Sequence, residues 1–189
     1  MHFTVEAQNK IRSHIESVRT PLPIVAFDGT AGNGFDTCFL AELVGKEGRV
    51  VAMDLQREAI HITRNKLEAL GRADRVDCIC DCHSHALRYL QPHCSNGLHI
   101  AMFNLGYLPL GNKEIITKRE TTLTALAAVH GLIVEKGILS VLSYPGHAGG
   151  SDEHAAVEAW IEQVKKHSRI ESYRDESNRL SPVLWLVFT

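Results

Sequence analysis

The sequence predicts an α/β protein on an open, doubly wound, mostly parallel sheet, and three observations carry that reading. Short apolar runs of strand length alternate with segments of helical periodicity from Ile24 onward. A glycine-rich turn, Gly29 to Gly34, joins the first such run to the helix that follows it. The last two strand-like segments have no helix between them, so they should form an antiparallel hairpin at one side of the sheet.

The opening MHFTVEAQNKIRSHIESV spaces Val5, Ile11, Ile15 and Val18 among charges, as an amphipathic helix does, and lacks the apolar core of a signal peptide. Pro21 and Pro23 break it, and IVAF (Ile24 to Phe27) reads as a short buried strand. From Gly34, FDTCFLAELVG carries Phe35, Phe39 and Leu43 at helical spacing until Gly45 and Gly48 end it. RVVAMD is a second strand closing on Asp54, and QREAIHITRNKLEALG sets Ile60, Thr63, Leu67 and Leu70 on one helix face before Gly71. VDCIC is a third strand, ending at Asp81.

A short helix near Ser84 to Leu90, a fourth strand from Leu98 to Phe103 and a long helix from Thr117 to Ile133 follow. GILSVLSY is the fifth strand; a helix from Ser151 to Lys166 precedes a polar strand, Arg169 to Tyr173, and VLWLVF closes the chain. With right-handed crossovers this is a Rossmann-like seven-stranded sheet with an antiparallel last strand.

At 189 residues, 44% hydrophobic and 22% charged, the chain suits one domain over 1–189, without repeats or low-complexity tracts. A net charge of -2 excludes nucleic-acid binding by bulk charge and leaves room for a local basic face. No apolar run has membrane length, so a cytoplasmic protein is expected. Alternation in CICDCHSH points Cys78, Cys80 and Cys82 to one face with no second ligand pair, which favours reduced cysteines, two of them in the core, over a metal site.

Ligands in such sheets bind beyond the carboxyl ends of the strands, and those ends carry Asp28, Asp54, Asp81, Asn104 and Tyr144. Asp and Asn also suit turns, so their recurrence at one edge is the functional signal. The first loop, FDGTAGNGFD, reads GxxGxG behind Asp28 rather than the dinucleotide order GxGxxG. A carboxylate there repels a pyrophosphate and attracts a cation, which favours S-adenosylmethionine (SAM), with its sulfonium and ammonium and no phosphate. Asp54 suits ribose hydroxyls, while Asp81 either accepts from the adenine amine or caps its turn.

DGTAGNGFDT, NLGYLPLGNK, the Thr121-Thr122 pair, YPGHAGG and NRLSP together resemble the class I SAM-dependent methyltransferases. Within that class they are similar to the small bacterial and plastid proteins labelled rRNA methylases. Members of that family are associated with tRNA 5-(aminomethyl)-2-thiouridine methyltransferase activity, so tRNA, or else rRNA, is the implied partner and a homodimer is plausible. The resemblance assigns the cofactor to Asp28, Gly29, Thr30, Gly32, Asn33, Gly34, Asp36, Thr37, Asp54, Leu55, Gln56, Asp81 and Asn104. It places the acceptor at Gly106, Leu108, Lys113, Lys118 and Arg119. This chain departs from the family's usual DAT at Gly29 and from PGGDK at Leu110 and Asn112.

An amine attacks only with its lone pair free. The Asn104 amide oxygen and a backbone carbonyl in Leu105 to Gly106 could aim it, with Gly106 allowing close approach and Tyr107 stacking on the base. His147 either serves as the base or shapes the YPGH turn. The run AMFNLGYLPLGN carries no charge, as expected if a neighbouring carboxylate would hold the amine protonated. An rRNA, small-molecule or protein methyltransferase of the same fold, or an inactive nucleoside-binding subunit, are the competing readings.

Overall fold

The computed structural model describes residues 3–20, 23–106, 115–146 and 149–189. In order these form α1 (Phe3–Val18), β1 (Val25–Asp28), α2 (Phe35–Leu43), β2 (Arg49–Asp54), α3 (Arg57–Ala69), β3 (Val76–Cys80) and α4 (Ala86–Leu90). Then come β4 (Leu98–Asn104), α5 (Arg119–His130), β5 (Ile133–Ser143), α6 (Gly150–Val164), β6 (Arg169–Arg174) and β7 (Val183–Phe188). The strands make a seven-stranded sheet in the order β3-β2-β1-β4-β5-β7-β6. β1 to β5 pair in parallel, and β7 runs antiparallel to both of its neighbours.

The final strand therefore lies inside the sheet. VLWLVF is buried at every position, so both its faces and both its edges must be covered, whereas RIESYR in β6 carries charges that tolerate an outer edge. Successive side chains on each strand feed opposite layers. Ala26, Val50, Ala52, Leu184 and Leu186 pack under α1, α2 and α3, while Phe27, Val51, Met53, Val183 and Trp185 pack under α4, α5 and α6.

Helix faces differ in places from the expected ones. The buried stripe of α1 is Phe3, Ala7, Ile11 and Ile15, one per turn, and Val5 is turned outward. On α2 the buried face is Asp36, Thr37, Leu40 and Ala41, which leaves Phe35 66% exposed. In α3, Ala59 joins Ile60, Thr63 and Leu67, while Leu70 falls at the C-cap and Gly71 turns the chain out at φ 63°. α5 is shorter than expected because Ile133 already belongs to β5, whose pairing with β4 shifts register where Lys136 adopts φ 67°.

All five cysteines are free: Cys78 alone is fully buried, Cys80 is exposed, and Cys82 lies past the strand. No helix among the described residues is long and apolar enough to cross a membrane.

Candidate active site

The strand order reverses between β1 and β4, and the crevice opens there. The glycine loop is held from three sides. Gly29 N–H donates to Met102 O at 2.9 Å, Ala31 N–H to Met53 O at 2.8 Å, and Gly32 N–H to the Asp54 carboxylate at 2.9 Å. From α3, Lys66 Nζ donates to Asn33 O at 2.7 Å and Thr63 Oγ1 to Gly32 O at 3.3 Å. Gly34, at φ 78°, abuts Thr63, so a side chain there would be both strained and crowded.

Asp28 sits beneath this loop and does not line the crevice. Its carboxylate, 1% exposed, accepts Thr37 Oγ1 at 2.6 Å and Thr30 N–H at 3.1 Å. Burial, and then the charge of Asp36, push its pKa up to about 7. The acid that faces the crevice from this loop is Asp36, which the sequence reading counted only as part of the motif.

At the end of β4, Asn104 N–H donates to Thr30 Oγ1 at 2.7 Å. Its side chain lies beside the Asp36 carboxyl and the Tyr144 hydroxyl. Asp36 also accepts Gln8 Nε2 at 2.7 Å, and burial raises its pKa despite these donors. Because α1 supplies Gln8 and the crevice-lining Thr4, the first helix is part of the site. Burial, and the nearby charge of Asp36, likewise raise the Tyr144 hydroxyl.

The uncharged run from Ala101 to Asn112 predicts an acceptor end free of carboxylates. The structure corrects this, since folding brings Asp36 of α2 beside Asn104.

Behind the acceptor end runs a buried polar chain. Gly106 N–H donates to Thr117 Oγ1 at 2.8 Å, and the Thr117 and Thr122 hydroxyls each donate to a Glu153 oxygen at 2.6 Å. Thr122 Oγ1 lies 3.5 Å from His83 Nε2, and His83 Nδ1 lies 3.2 Å from Gly29 O. That carbonyl can only accept, so Nδ1 carries the hydrogen; burial holds the His83 pKa below its ordinary value. Gly106, at φ 122°, accepts Thr117 N–H on its own carbonyl at 2.9 Å, which leaves Leu105 as the freer carbonyl of the pair.

The crevice encloses about 640 Å³. Of the residues predicted from sequence, it brings together Gly29, Thr30, Gly32, Asn33, Asp36, Asp54, Leu55, Gln56, Asp81, Asn104 and Gly106. Gly34 and Thr37 stand behind the loop with Asp28, while Lys118 caps α5 and Arg119 begins it, both exposed and off the lining. Tyr107, Leu108, Lys113 and His147, with Leu110 and Asn112, lie outside the described residues. Sequence reasoning did not assign Thr4, Gln8, His83, Thr117 or Glu153 to the site; only the Thr121-Thr122 pair gave a signal near this network.

The crevice fits SAM on its donor set. Among the described residues its lining holds Asp36, Asp54 and Asp81 and no Lys or Arg, which suits a cation and opposes a pyrophosphate. Asp54 spends one oxygen on Gly32 N–H and the other on Gln56 N–H at 2.8 Å, leaving lone pairs for ribose hydroxyls. Asp81 is more fully used: burial raises its pKa, but Tyr89 OH at 2.8 Å, His85 Nδ1 at 3.0 Å and Cys82 N–H at 2.7 Å outweigh that and lower it.

The model of the family described as putative rRNA methylase matches residues 50–188. A structure of a putative rRNA methylase from Clostridium thermocellum superposes with TM-score 0.88 at 34% identity, covering 98% of this chain and 96% of that one. The chain belongs to this family. With it the chain joins the SAM-dependent methyltransferases, whose fold the sheet order reproduces.

A putative methyltransferase from Streptococcus mutans, in complex with SAH (S-adenosylhomocysteine), is 30% identical, with TM-score 0.73 over 87% of this chain and 88% of that one. The chloroplastic tRNA (mnm(5)s(2)U34)-methyltransferase of Arabidopsis thaliana is 36% identical over 170 residues. That match takes in 85% of this chain and 61% of the plant protein, so the chain spans under two thirds of that relative's length.

Proposed function

We propose that this protein methylates the aminomethyl nitrogen of 5-aminomethyl-2-thiouridine at the tRNA wobble position, using SAM. The observation that carries the reading is a crevice at the switch point with Asp36, Asp54 and Asp81 on its lining, no Lys or Arg among the described lining residues, and Asn104 at its acceptor end. Such a cleft suits a sulfonium cofactor and an acceptor that arrives as an ammonium. The name of the chloroplast relative supplies the particular amine.

When bound, SAM supplies an activated methyl group. Asp54 would hold the ribose hydroxyls, the loop from Gly29 to Asn33 would receive the methionine end, and Leu55, Gln56 and Asp81 would surround the adenine. Asn104 Oδ1 and the Leu105 carbonyl receive the hydrogens of the amine and aim its lone pair into the crevice. Gly106 admits the base closely, with Tyr107 to stack on it and Leu108 among the residues that take the acceptor. Lys113, Lys118 and Arg119 meet RNA phosphates, which supplies locally the positive charge that the chain lacks in bulk.

The test is mass spectrometry of tRNA and rRNA nucleosides from cells with and without the gene. Accumulation of 5-aminomethyl-2-thiouridine in tRNA is expected. An unchanged tRNA profile with a methyl missing from rRNA would contradict the reading.

A further inference from the structure

Asp36 is a buried carboxylate whose place the fold alone does not explain. It is 7% exposed, lies in the first turn of α2 and lines the crevice directly beside Asn104. Resting on the amine acceptor proposed above, we propose that the Asp36 carboxylate takes the proton that the acceptor ammonium must lose before its nitrogen can attack. The N–H bond breaks with its electron pair staying on nitrogen, an O–H bond forms on Asp36, and the proton later leaves to water through the crevice mouth.

The geometry favours Asp36 over the other acidic and basic groups described. Asp54 and Asp81 stand at the ends of β2 and β3, away from Asn104 across the sheet order, and are engaged by backbone and side-chain donors. His83 spends its Nδ1 hydrogen on Gly29 O and turns its other nitrogen toward Thr122. At Asp36, Gln8 Nε2 donates to Oδ1 at 2.7 Å, and because an ionised carboxylate can only accept, an Asn104 amide facing it turns its NH₂ that way. In that orientation the Asn104 carbonyl oxygen points away from Asp36, toward the acceptor end. One side chain thus orients the lone pair while its neighbour removes the proton.

The groups around Asp36 are Gln8 and Thr4 on α1, Asp28 on β1, Asn104 on β4 and Tyr144 after β5. None is a cation, and Asp28, itself buried and raised in pKa, lies beneath it. Burial therefore makes Asp36 a proton acceptor rather than a lasting counter-ion, which removes the objection that a carboxylate here would hold the amine protonated.

The experiment measures kcat/KM against pH for the wild type, Asp36→Asn and Asp36→Glu, with SAM and an anticodon stem-loop bearing the aminomethyl nucleoside, alongside SAH affinity by calorimetry. The wild type is expected to show a plateau over the range where the amine is protonated in solution. Asp36→Asn should lose about 10²–10⁴-fold and climb about tenfold per pH unit, as the amine sheds its proton unaided. SAH affinity should fall far less than the rate, and Asp36→Glu should keep the plateau at a reduced rate.

An Asn variant with an unaltered profile overturns the proposal, as does a loss of SAH binding that matches the loss in rate. Should neither variant fold, the wild-type profile decides, because a rise without a plateau means deprotonation in solution. An active wild type with those outcomes refutes Asp36 alone. A wild type inert toward this RNA refutes the acceptor reading and this inference together.

Discussion

Replacing Glu153 tests whether the buried chain behind the acceptor end holds it in place. The Glu153 carboxylate is 3% exposed and receives the Thr117 and Thr122 hydroxyls at 2.6 Å each. Glu153→Ala strands both hydroxyls in the interior, at about 1–3 kcal/mol each, and leaves a space behind them. A total of about 3–5 kcal/mol corresponds to a fall in Tm of roughly 6–20 °C for a chain of this size. Glu153→Gln keeps the volume and one acceptor, so its loss should be well under half as large.

Because Thr117 Oγ1 also anchors Gly106 N–H at 2.8 Å, turnover should fall more than SAH affinity in both variants. Thermal unfolding of the ligand-free protein, with calorimetric SAH titration, reads both effects. A Glu153→Ala protein melting within about 2 °C of the wild type would refute the reasoning, since the stranded hydroxyls would then have found other partners.

Asp28 has a folded pKa raised above its unfolded value, so the folded state binds the extra proton and stability is lost as pH rises from about 4 through about 7. Denaturant titrations should therefore show Asp28→Asn gaining on the wild type between those limits, and a constant difference would contradict this. A Cβ on Gly29 would stand 2.5 Å from Phe103 Cε1, so Gly29→Ala should cost about 1–3 kcal/mol, and a second change, Phe103→Leu, should recover most of it in the same titrations. Asp54→Ala should weaken SAH binding by about 10–100-fold, the equivalent of lost charge-assisted bonds of about 1.5–3 kcal/mol. Asn104→Ala should leave calorimetric SAH affinity close to that of the wild type while slowing methyl transfer about 10²-fold or more.

What the sequence shows of this protein is mostly what repeats locally. The strand periods, the helix-ending glycines and the acids closing β1 and β2 are set by neighbours a few residues away, and they emerged in place. The position of VLWLVF inside the sheet is legible in retrospect, because an unbroken apolar strand cannot sit at an edge beside a polar one.

The direction in which an end-of-strand acid points is not local. Asp28 and Asp36 flank the same loop, and only the packing of α2 on β1 decides that Asp28 turns under it and Asp36 faces the crevice. Gln8 reaches Asp36 across 28 positions of chain, and Glu153 reaches Thr117 across 36, so neither contact leaves a periodic trace. Phe35 shows the converse case: its helical spacing suggested core, yet it stands at the crevice rim with Lys66 Nζ 3.7 Å from its ring centre.

The central claim is methyl transfer from SAM to a tRNA amine. The most direct measurement incubates the purified protein with isotopically labelled SAM and two tRNA pools, one bearing 5-aminomethyl-2-thiouridine and one lacking it, and locates the label by nucleoside mass spectrometry. Label is expected on the aminomethyl nitrogen of the first pool and none in the second. Equal labelling of both pools, or no labelling of the first with SAH binding intact, would contradict it.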